Sequence, residues 1–167
     1  MKLKLKLNLF LLLLTFMLPA TVPAQKKGLI GYRHKGVVYG AALPNGAKDL
    51  GGGLLSDENY GVSRFSKSGK FMLWLERLTA RDAEGIPSWE VKDVLTFSKL
   101  KKNQEFLLSY SSNCERSGKK SLDLIVLAEF SPKKKTYQVK QAWRASVKQE
   151  KFEKISTRGI ECTYVEP

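Results

Sequence analysis

Histidine and cysteine are almost missing from this chain, which has one histidine and two cysteines in 167 residues. A closed zinc shell needs four Cys or His ligands, and His34, Cys114 and Cys162 cannot fill one. There is no C-x-x-C pair for thiol redox chemistry and no G-x-S-x-G around an activated serine. A hydrolase built on Ser or Cys needs a histidine base oriented by a carboxylate. His34 lies in "YRHKG", among basic residues and glycine, and reads as an ordinary surface histidine. The triplet Gly51–Gly53 is not followed by Lys-Ser/Thr, so it makes no phosphate-binding loop and reads as a hinge or tight crossing. The acidic stretch Ser56–Asn59 lacks the alternating ligands and central glycine of a calcium loop. The sequence therefore implies no metal and no cofactor.

Long apolar runs are also lacking. Leu9–Leu18 is ten residues interrupted by Thr15, whereas a membrane-spanning helix needs about 20. With Lys2, Lys4 and Lys6 before it and "LPATVPA" after it, the run reads as a signal-peptide core. Residues 1–24 are expected to be removed after Ala24, with Ala20 as the alternative. One exported domain of 143 residues would remain, in the periplasm or outside the cell, with no transmembrane segment after cleavage. In an oxidising compartment Cys114 and Cys162 most simply form one disulfide, worth roughly 4 kcal/mol on the chain-entropy model.

Acidic residues are scarce as well: 16 against 29 Lys and Arg, a net charge of +13 that falls to +10 without the three leader lysines. Residues 92–167 carry 16 basic and 9 acidic side chains, so the excess concentrates in the C-terminal half. Such a surface suits anionic partners, namely acidic glycan, lipid headgroups or an acidic protein. No specific nucleic-acid motif accompanies it.

What is present is two-residue alternation in short runs, punctuated by Gly, Pro, Asn, Ser and Lys, which predicts an all-β, mainly antiparallel domain. Residues 25–67 form a Gly-rich first part with a long loop over "LPNGAKDLGGGLLSDENYG", where Leu54–Ser63 has room for one short helix. Residues 68–167 predict a β meander of the same domain, closing as a small barrel or two-layer sandwich so that no long edge stays open. Its strands are "FMLWLERLTA" and "WEVKDVLTF", then "EFLLSYSS" and "SLDLIVLAEF" across the loop "NCERSGKK". "TYQVKQAWRA", "KFEKIS" and a last strand over Gly159–Tyr164 follow.

One of these strands and one hairpin suggest sites. In "TYQVKQAWRA", alternation places Tyr137, Val139, Trp143 and Ala145 on one face and Lys140 and Arg144 on the other. With Lys133, Lys134 and Lys135 in the preceding turn, Lys140 and Arg144 make an expected anion-binding face. In the hairpin around Asp82–Pro87, a six-residue loop would pair Trp74 with Leu95, Leu78 with Val91, and Glu76 with Asp93. Two facing carboxylates repel unless they share a proton or take a cation between them. Glu76 and Asp93 are thus the one candidate acid/base pair, of the kind glycosidases use.

The segments "LWLERLTARDAEGIPSWEVKDVL", "SNCERSGKKSLDLIVLAEF" and "AWRASVKQEKFEKISTRGIEC" resemble a group of small exported bacterial proteins of uncharacterised function. The shared pattern is L-W-L-E…W-x-V-x-D-V-L followed by A-W-R-A…F-x-x-I-S-x-x-G-I-x-C, over about residues 60–163. The resemblance implies an exported single domain with paired cysteines and supplies no activity. The first expectation is a non-enzymatic envelope or extracellular module that binds an anionic partner through its basic face. The rivals are a glycan hydrolase using Glu76 and Asp93, and an inhibitor of an acidic exported enzyme.

Overall fold

A computed structural model describes residues 28–36, 39–108 and 113–163. The expected leader over residues 1–24 lies outside them, as do residues 109–112 and Tyr164 of two expected strands. The described residues form twelve strands and no helix. The first five are β1 (Arg33–Lys35), β2 (Lys48–Leu54), β3 (Tyr60–Lys67), β4 (Lys70–Arg81) and β5 (Pro87–Phe97). Then come β6 (Gln104–Leu108), β7 (Asn113–Arg116), β8 (Lys119–Lys120) and β9 (Leu124–Ser131). β10 (Thr136–Ser146), β11 (Lys151–Ile155) and β12 (Ile160–Thr163) complete the chain.

The strands make two antiparallel sheets, each curled into a half-barrel. The first has the order β1-β5-β4-β3-β2, and the second β6-β9-β10-β12-β7-β8, with β11 added along β10. β4 shows why the layers form. It is buried over Met72–Glu76 because both of its faces meet a core. Leu73 and Leu75 join Val62, Phe106, Ile125, Leu127, Trp143 and Phe152 in the layer between the sheets. Met72 and Trp74 point the other way, into a second cluster with Phe65, Val91 and Val94, against which Leu29 and Tyr32 close. A third cluster, including Leu107, Val126, Ala142 and Ile160, fills the curl of the second sheet. The all-β, antiparallel class expected from alternation is thus the fold, its two sheets curled as half-barrels around a shared layer.

Several local expectations fail for identifiable reasons. The stretch expected as a long loop contains β2, in which Gly52 and Gly53 pair with Ser63 and Val62 of β3 beyond a bulge between Asp49 and Gly52. Leu54–Ser63 holds the β2–β3 turn and the start of β3 and no helix. "NCERSGKK" is itself a hairpin, β7 and β8, turned by Ser117 and Gly118 at φ 51° and 72°. That pair of positive φ values is the geometry of a two-residue hairpin turn. The same Ser-Gly-Lys tripeptide turns β3 into β4, at Ser68 and Gly69. The order is not a plain meander, because β1 returns to β5 and β12 lies between β10 and β7.

Cys114 and Cys162 are directly opposite each other on β7 and β12 and are bonded, with Cα atoms 4.1 Å apart. Both are buried in the third cluster.

Candidate functional site

The hairpin β4–β5 does not have the register that a simple loop count predicts. Leu75 pairs with Asp93 and Glu76 with Val91, because the register shifts between Leu75 and Glu76 and leaves Lys92 as the extra residue. Arg81 pairs directly with Pro87, so the register is one step off the six-residue loop count, and Asp93 shares its face with Leu75, whose side chain points away from that of Glu76. Asp93 and Glu76 are therefore not cross-strand partners, and they lie on opposite faces of the sheet. Asp93 faces the layer between the sheets, where it accepts the N–H of Val94 at 2.9 Å and of Phe152 at 2.8 Å. It is a buried tie from β5 to β11. The carboxylate pair needed for glycosidase chemistry is not assembled.

A bulge also rearranges the predicted basic face. Val139 pairs with Ala128 and Gln141 with Leu127, so Lys140 is the extra residue in β10. Tyr137 and Val139 consequently pack in the third cluster, whereas Trp143 and Ala145 belong to the layer between the sheets. The four apolar residues do not share one face, and neither do the two cations. Lys140 turns toward Gln138 and Glu129, at 2.6 and 3.2 Å. Arg144 turns the other way onto Glu153, which it holds through Nε at 3.1 Å and Nη2 at 2.5 Å.

The structure gathers a different set of lysines. Lys99, Lys101 and Lys140 line a cavity of about 430 Å³ together with Gln104, Gln141 and a single acid, Glu129. The loop carrying Lys99, Lys101 and Lys102 is bound to β9 by the Phe130 N–H on the Asn103 carbonyl at 2.8 Å. The β9–β10 turn just beyond presents Lys133, Lys134 and Lys135, all exposed. One end of the molecule therefore carries seven lysines. Lys99 and Lys101 stand in the visible run "SKLKK", but no local signal in that run places it beside Lys140 of β10.

His34 is the second departure. Its side chain is only 4 % exposed and Glu76 only 1 %, with Nε2 of His34 2.6 Å from Oε1 of Glu76. Ser63 donates its hydroxyl to the other oxygen of Glu76 at 2.5 Å. Nδ1 of His34 lies 2.9 Å from the Lys35 carbonyl, which can only accept, so this nitrogen carries a hydrogen. Tyr32, Phe65 and Trp74 surround the ring at centroid distances of 5.8–6.0 Å. Burial alone would lower the His34 pKa. The hydrogen bond and charge of Glu76, with help from the Lys35 carbonyl and Asp49, outweigh burial and hold it above the ordinary 6.5.

The cluster forms the floor of a cavity of about 450 Å³. Strand β1 contributes His34, β2 Gly52 and Gly53, β3 Gly61 and Ser63, β4 Glu76 and β5 Trp89. Glycine is required at 52, where a Cβ would stand 2.7 Å from both Ser63 Oγ and the Val62 carbonyl. No three His, Cys, Asp or Glu side chains among the described residues are placed to hold a metal. No helix of the described residues is long and apolar enough to cross a membrane.

Comparison with known proteins finds no matching family model, no matching curated protein and no matching solved structure.

Proposed function

We propose that this chain is an exported, non-enzymatic binding module that takes an anionic partner on the lysine-rich end of its second sheet. The partner is an acidic glycan, an anionic headgroup surface or an acidic protein. The observation that carries the reading is the cavity lined by Lys99, Lys101 and Lys140 against Glu129 alone, extended by the turn Lys133–Lys135. Cations clustered on a rigid hairpin end raise the local potential more than the same charges scattered over a surface. A disulfide suits an oxidising, exported setting, either the periplasm or the outside of the cell.

Two features favour binding over catalysis. Glu76 and Asp93 occupy different faces of the sheet, so they cannot flank one glycosidic bond. Both ring nitrogens of His34 are engaged, and neither is left to take a proton from a substrate.

The test is retention on an immobilised heparin column. K99E, K101E, K133E and K134E combined should elute at much lower salt than the wild type, because charge-driven binding weakens steeply when cations are reversed. Arg144→Glu should elute near the wild type, since Arg144 lies on the other face and is already paired with Glu153. Equal elution of the combined variant and the wild type would reduce these lysines to a solubilising surface.

A further inference from the structure

The cavity above His34 and Glu76 is separate from the lysine end. It lies at the Pro87–Trp89 end of β5, whereas the lysine groove touches Thr96 and Phe97 at the other end. At about 3.3 Å per residue, the two are roughly 25 Å apart.

Its lining selects a kind of ligand. The one basic side chain on its wall, His34, is committed to Glu76, so nothing there is free to receive an anion. Oxygen acceptors converge instead. Glu76, Ser63 and Asp49 line the cavity, and each of these oxygens keeps lone pairs beyond the bonds it makes. Leu54, Ile86, Pro87 and the indole of Trp89 supply its apolar lining, Trp89 lying on the same face of the β4–β5 hairpin as Glu76. The indole packs over the backbone at Gly61. A Cβ there would stand 3.2 Å from the Gly53 carbonyl and 3.6 Å from the six-membered ring. A free cation is disfavoured because His34 already neutralises Glu76, which leaves Asp49 as the one other carboxylate on the wall, and the whole chain carries +13. A ligand matching this wall has one apolar face for the indole and several O–H donors for the acceptors.

The geometry points to a binding site for a neutral sugar, held by one pyranose ring between Trp89 and the Glu76–Ser63–Asp49 acceptors. The volume, about 450 Å³, is in the range of small-molecule sites. The His34–Glu76 bond belongs to this site as its rigid floor: it fixes Glu76 before any ligand arrives, which lowers the ordering cost of binding.

The experiment is a fluorescence titration of the full chain with glucose, galactose, N-acetylglucosamine, maltose and cellobiose, carried to millimolar concentration. Trp89 is the tryptophan that lines the cavity, while Trp74 and Trp143 are buried. At least one sugar should give a saturable change. Trp89→Leu should abolish the signal, so its binding is read by calorimetry, where the affinity should fall about tenfold or more. Ile86→Trp, at an exposed position on the rim, should block entry while leaving the unfolding temperature unchanged. The lysine-reversed variant of the heparin test should bind the sugar as the wild type does, so the two readings stand or fall separately. No saturable response to any of the five sugars overturns the proposal. So does a response unaffected by Ile86→Trp, or saturation by choline in place of the sugars.

Discussion

At the scale of single residues, the sole histidine is the instructive case. Its neighbours in sequence, Arg33 and Lys35, are solvent-facing, and read alone they make His34 a surface residue. On a strand, however, the middle residue of three points opposite to its neighbours. That alternation was available in "RHK"; what the sequence did not reveal was the partner 42 positions later, Glu76. The resulting ion pair has a definite pH signature. Because the folded pKa is raised above 6.5, the pair contributes stability that is complete below 6.5 and is lost as pH rises through the folded value. Thermal unfolding followed from pH 6 upward should show a falling midpoint in the wild type. His34→Ala should lose that dependence, and it should be less stable by about 3–5 kcal/mol at pH 6 because it strands a buried carboxylate. An unchanged pH profile in the variant would assign the dependence to other groups.

At the scale of elements, strands were legible and registers were not. The runs "FMLWLERLTA" and "WEVKDVLTF" announce β4 and β5 within a residue or two, because alternation and the Asp-Gly-Pro reversal are local signals. Bulges are set by tertiary packing, and each one exchanges the faces of everything beyond it. The direct pairing of Arg81 with Pro87, one step off the six-residue loop count, separated Glu76 from Asp93, and a bulge at Lys140 separated Lys140 from Arg144. The same slip explains why a buried acid in β5 caps β11. Asp93 accepts the Phe152 N–H and so couples the first sheet to a strand of the second. Asp93→Ala should leave that N–H buried without an acceptor, at a cost of about 1–3 kcal/mol in denaturant unfolding. Asp93→Asn keeps one carbonyl acceptor and should lose less. If both variants unfold with the wild type, β11 is held by its ladder with β10 and by Phe152 packing, and the Asp93 tie adds nothing.

At the scale of the whole molecule, the all-β class and the disulfide pairing could be read from composition and alternation. The three-cluster layering could not, since it depends on how strands distant in sequence order themselves within each sheet. The cystine illustrates the difference. Among the described residues, Thr136–Thr163 is the one pair that joins β12 to β10, so the described β7–β8–β12 segment meets the second sheet along a short seam. Its hold on the third cluster runs through Ile160, Cys114 and Cys162. Joining residues 48 apart removes loop entropy from the unfolded chain, roughly 4 kcal/mol on the entropic model. The loss on reduction should not be uniform. Leu73, Leu75, Ile125 and Trp143 belong to the layer between the sheets and do not touch the cystine cluster. Replacing Cys114 and Cys162 together by Ser should therefore open β7, β8 and β12 first. Hydrogen exchange at Glu115, Glu161 and Thr163 should rise toward the unprotected rate, while Leu73–Leu75 in β4 keep most of their protection. The opened segment uncovers Val126 and Ala142, so an apolar dye should bind the variant before the main unfolding transition. A single transition in which all strands lose protection together would show that the cystine stabilises the sandwich as one cooperative unit.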